Sequence, residues 1–101
     1  MAQPIIPKRR LVTEKNNLIE IVAWRVPKSK YYPEGIKYSF TFVHEDKRTM
    51  AFDNFNNEGH HRHYLGKKEK HNFKSLEDTA DKFFMLVEKF EKNNGKGDEN
   101  D

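Results

Sequence analysis

The chain has no cysteine. That excludes disulfides, thiol nucleophiles and every thiolate zinc site, and it fits a cytoplasmic protein. Long apolar runs are also missing. Nothing approaches the roughly 18 residues that would cross a bilayer, so no membrane contact is expected. In the opening stretch, MAQPIIPKRRLV, the basic residues follow a very short apolar run, the reverse of a secretory signal, and no small-residue cleavage site comes after. These absences predict a soluble protein of the cytoplasm. Glycine and proline are sparse, and no glycine loop of the kind that cradles phosphate occurs. No serine stands in a glycine-flanked elbow, and there is no HExxH helix.

What remains is a chain of 101 residues, 35% apolar and 35% charged. That length makes one domain with one core, needing no disulfide or structural metal to hold it. The core must be aromatic, because eight Phe, four Tyr and one Trp supply much of the apolar content. The net charge is +3. Residues 91–101 set two lysines against four acids, so the body of the chain is more basic than that figure. A basic body suits a polyanion such as RNA, although a solvated lysine-rich surface would look the same.

The patterning changes once along the chain. Residues 1–7 hold two prolines and read as a loose arm. Residues 8–13 suit a short strand, and 14–17 a turn. Residues 18–26, LIEIVAWRV, are dense in β-branched and aromatic residues and predict a strand covered at least partly on both faces. Residues 27–35 are a polar loop. In 36–44, Tyr38, Phe40 and Phe42 alternate with Lys37, Ser39 and Thr41, a period-two strand. A turn at 45–47 leads to a strand over 48–52, closed by Asp53. After a polar loop at 54–59, residues 60–65 form the next strand, and 66–70 read as a lysine-rich turn. Ser75 then opens a capping box with Asp78. Leu76, Ala80, Phe83, Phe84, Val87 and Phe90 follow at helical spacing. The expected fold is α+β: an antiparallel meander of four to five strands with one C-terminal helix packed on one face. The domain spans 1–93, and 94–101 form a disordered acidic tail.

Asp53 to His63 reads DNFNNEGHHRH and holds three of the five histidines. On a strand, His61 and His63 point to one face, with Cβ atoms about 6.5–7 Å apart. Two imidazoles so placed can serve one phosphate as base and acid, or chelate one metal. Clustered histidines make poor core residues. Metal-free RNA cleavage needs a base for the 2′-hydroxyl, an acid for the leaving 5′-oxygen and a cation for the phosphorane. His61, His63 and Arg62 are those three types. On a regular strand, however, Arg62 points away from the histidines. Either a bulge re-aims it, or it pairs with a carboxylate such as Asp53; the second is preferred. Asp53, if its strand is the hairpin partner, stands near the imidazoles and orients one. Asn54 beside it also suits plain turn chemistry. His60 reads as a solvent-facing flank, and His44 and His71 as isolated. Lys67, Lys68 and Lys70 directly follow the histidine strand and are the candidate phosphate contacts. The rival chemistry is metal: His61, His63 and Asp53 could hold Zn²⁺, Ni²⁺ or Fe²⁺.

Four runs in order carry a family resemblance. They are IEIVAWRVP (Ile19 to Pro27), KYSFTF (Lys37 to Phe42), F-D-N-x4-G-H-H-R-H (Phe52 to His63) and FKSLED (Phe73 to Asp78). Together they resemble the TumE-like toxins of prokaryotic toxin–antitoxin pairs, over residues 18–90. Phe52 replaces the family's usual tyrosine, and Thr79 stands where an apolar residue is common. The resemblance implies a toxin partnered by a helix-turn-helix antitoxin, with growth inhibited through RNA and translation. It marks Asp53, Asn54, Gly59, His61, Arg62 and His63. Taken with the histidine chemistry, the leading expectation is a metal-independent endoribonuclease toxin with no cofactor. The alternatives are a non-catalytic RNA- or ribosome-binding module and a small His/Asp metalloprotein.

Overall fold

A computed structural model describes residues 3–55 and 58–94. Six strands run in sequence order across one antiparallel sheet: β1 (Gln3–Val12), β2 (Leu18–Arg25), β3 (Ile36–His44), β4 (Lys47–Asp53), β5 (His61–Tyr64) and β6 (Lys67–Lys70). One helix, α1 (Leu76–Asn94), follows. The class is the α+β meander expected, with six strands rather than four to five. The additional strand is β6, in the stretch expected to be a turn. The loose arm also differs, since residues 3–7 are paired with β2 as the first half of β1. Of the acidic tail, everything beyond Asn94 lies outside the described residues, as do residues 1 and 2.

The helix starts where its chemistry starts it. The Ser75 Oγ accepts the backbone N–H of Asp78 at 2.9 Å, one half of the capping box. Glu77 and Asp78 sit in the first turn and Lys92 in the last, as the helix dipole favours. Phe83, Val87 and Phe90 are buried, and α1 packs over β3 and β4. Phe83 meets Phe40 at 5.8 Å and Phe52 at 6.3 Å between ring centroids, and Phe90 meets Phe42 edge-on at 5.4 Å. Phe84 turns outward and stays exposed. Thr79, the departure from an apolar habit, is fully buried. Its hydroxyl donates to the Ser75 carbonyl at 3.0 Å and accepts from His71 Nε2 at 2.9 Å, so a hydroxyl is needed there.

The register sorts the sheet into two faces. Ile19, Ile21, Ala23, Tyr38, Phe40, Phe42, Met50 and Phe52 lie under the helix. Residues one position along from these face away from it, and no described element covers that second face. β2 fits this pattern: Ile19 and Ala23 are buried, whereas Leu18, Val22 and Trp24 are only half-buried.

Asn54 extends the sheet beyond the end of β4. Its side-chain oxygen accepts the Tyr38 N–H at 3.0 Å, and its amide donates to the Ile36 carbonyl at 2.7 Å. The residue is 1% exposed, so neither β3 group would find water if Asn54 were removed. Asn54→Ala is expected to cost about 1–3 kcal/mol. The loss would read as a lower urea midpoint at unchanged m-value.

Candidate functional site

Asp53 and His61 are directly opposed in the β4–β5 ladder, and His63 opposes Ala51 one row on. All three side chains therefore sit on the helix-free face. The His61 Nε2 lies 2.9 Å from Asp53 Oδ1. Its Nδ1 lies 3.0 Å from the Gly59 carbonyl oxygen. Both ring nitrogens thus have oxygen partners, and the ring is fixed in its plane. The Phe55 N–H donates to the same Asp53 oxygen at 3.1 Å and helps fix the carboxylate in place. Gly59 adopts a φ of +79°, a turn that glycine makes without strain and that brings its carbonyl back to His61.

His63 stands differently. Its ring meets that of His61 edge-on, with centroids 5.1 Å apart. Burial, and then the charge of Arg48, push His63 below the usual imidazole value; Asp53 pulls the other way, and His61 and Lys68 add to the lowering. The two neighbouring rings therefore differ in setting: His61 is held by Asp53, while His63 is pushed towards its neutral form. The ligand-capable atoms of Asp53, His61 and His63 also lie within 4.8 Å of one another.

Arg62 does not join them. It opposes Phe52 and Glu69 on the helix face, and its guanidinium pairs with Glu69 Oε1 at 2.9 Å. The expected carboxylate partner is present, but it is Glu69 rather than Asp53. The arginine that acts on His63 is Arg48. A bulge between Phe42 and Val43 brings Arg48 opposite Val43 and so onto the histidine face, where it is exposed. The basic character of that position is plain in the sequence, but its face depends on a bulge that alternation does not reveal. Lys68 and Lys70 share the face with His63 and His61, whereas Lys67 opposes Tyr64 on the other. Lys68 is paired with Glu58, and that bond holds the Glu58 carboxyl below its ordinary value.

His60 is no solvent-facing flank. It stacks on Phe73 at 4.1 Å, and its Nε2 donates to Glu34 at 3.0 Å. Its Nδ1 then accepts from the Tyr38 hydroxyl at 3.0 Å, and burial, with the nearby Asp53 and Glu34 charges, keeps that phenol protonated. His44 and His71 are likewise fixed, by Asn17 and Thr79. These three histidines have structural partners, while His63 faces the open sheet.

The family described as Toxin TumE matches residues 3–91 of the chain. No curated protein and no solved structure matches it.

Proposed function

The chain belongs to the TumE toxin family, and from that premise we propose that it is the toxin of a toxin–antitoxin pair that cleaves RNA without a metal. The observation that carries this reading is the Asp53–His61–His63 cluster on the basic helix-free face, with His61 held by Asp53 and His63 kept below the usual imidazole value by burial. Neutral His63 takes the 2′-hydroxyl proton as that oxygen attacks phosphorus. Arg48 and Lys68 meet the charge that develops on the phosphorane. His61, held by Asp53, serves as the acid that gives a ring proton to the leaving 5′-oxygen, and the products are a 2′,3′-cyclic phosphate and a 5′-hydroxyl. Asp53 is a positioning residue: it holds His61 through Nε2. Family membership supports a cognate antitoxin as partner, and a helix-turn-helix protein is the type proposed here.

The second reading is metal binding, favoured by the close grouping of Asp53, His61 and His63. The Gly59 carbonyl on His61 Nδ1 is also the kind of outer partner that orients a metal-bound imidazole. The two readings part in one experiment. The purified protein is expected to keep its RNA-cleaving activity in EDTA and to show no stoichiometric metal by elemental analysis. Near-stoichiometric zinc or nickel, with function lost on chelation, would replace the acid–base reading with the metal one.

A further inference from the structure

The helix-free face continues well past the histidines. Its middle is floored by the short side chains of Ser39, Thr41 and Ala51, aligned with Asp53 and His63 by the register. Beyond them two hollows open on either side of one ring. Phe55 lines a hollow of ≈ 210 Å³ with Lys8, Glu20, Val22, Ser39 and Thr41. It also lines a larger one of ≈ 400 Å³ with Trp24, Val26 and Lys37. Each is several times the ~30 Å³ share of one water, large enough for a flat ring system. The Lys37 Nζ sits 4.7 Å from the Phe55 ring centroid. Trp24 and Phe55 are only partly buried, so π-surface remains open beside two lysines.

We propose that the larger hollow is a nucleobase subsite, in which an unpaired base of single-stranded RNA stacks on Phe55 and Trp24 while Lys37, and Lys8 in the adjoining hollow, hold the neighbouring phosphates. The proposal rests on the RNA reading above and adds a substrate class to it. Aromatic rings flat on a sheet, interleaved with lysines, are how single strands are held without reading their sequence. A duplex keeps its bases stacked and cannot offer one. From β2, which carries Trp24, to β5, which carries His61, is three strand spacings, about 14 Å. A short extended strand of RNA would therefore link the stacked base to the phosphate at His63. Preference then falls on unpaired RNA with a nucleotide at a fixed offset from the cut, not on a particular base.

Trp24 is the sole tryptophan, so fluorescence excited selectively at tryptophan reports on this subsite. The full chain is titrated with an uncleavable 2′-O-methyl oligonucleotide, single-stranded or annealed to its complement, while label anisotropy records binding independently. The single strand is expected to quench Trp24 and the duplex to leave it unchanged. Phe55→Ala is expected to weaken single-strand binding about 10- to 100-fold, and Lys37→Gln to weaken it less. Anisotropy that rises with no change in Trp24 emission, or binding indifferent to both substitutions, would overturn the subsite and leave the RNA reading standing. No binding by either signal, to single strand or duplex, would overturn both.

Discussion

His63→Ala is expected to cut RNA turnover by about 10²–10⁴-fold, the usual worth of a positioned general base, while RNA affinity stays nearly unchanged. Loss in kcat without loss in binding is the signature of a group that acts in the transition state. The same variant should no longer arrest growth when expressed without a partner. His63 suits this role because its surroundings hold it below the ordinary imidazole value, so the neutral form is already present at neutral pH. The acidic limb of the pH–rate profile should accordingly lie below the ordinary imidazole value of about 6.5. The direction for stability follows from the same lowering. Below that value the unfolded chain binds the proton more readily than the folded one, so stability declines as pH falls. Rates must therefore be compared where thermal melting shows the fold intact. A soluble His63→Ala protein that still poisons cells as well as the parent would end the ribonuclease reading and favour a non-catalytic RNA-binding module.

Phe83→Ala is expected to destabilise the fold by about 3–5 kcal/mol, as for other buried phenylalanine truncations. Phe83 is 0% exposed and meets both Phe40 and Phe52. Those rings belong to neighbouring central strands, so one truncation strips the helix from β3 and β4 together. A domain of this size loses roughly 4–8 °C of Tm per kcal/mol, and its whole stability is only about 5–15 kcal/mol. Calorimetry should show the large drop. A change under about 1 kcal/mol would mean that the helix is not seated as described.

The parts of the fold that sequence patterning captured share a physical cause. β3 was legible to the residue because Tyr38, Phe40 and Phe42 are core side chains alternating with polar ones. The helix was legible from its cap and its stripe. β6 was not, because KKEK is wholly exposed and gives no apolar period. The turn before it is also disguised. Leu65 and Gly66 have φ of 51° and 88°, a conformation in which a leucine is not expected. Pro4 and Pro7 hid the start of β1, although an edge strand tolerates proline. At the site, spacing alone put His61 and His63 on one face, and hairpin pairing brought Asp53 to them. Long-range partners were out of reach: Glu34, Tyr38 and Phe73 converge on His60 from distant points of the chain.

The histidines are carried on a strand of only four residues, bordered by an exposed strand of four and a strained leucine turn. Such a hairpin opens at far lower free energy than the aromatic centre of the sheet. Mild heat or denaturant would thus disarm the protein while its core remains folded. Amide exchange in β5 and β6 would mark that separate event, with β2 and β3 the last to exchange. Activity and fold would then be lost at two temperatures, and a ligand clamped across the open face would draw them together.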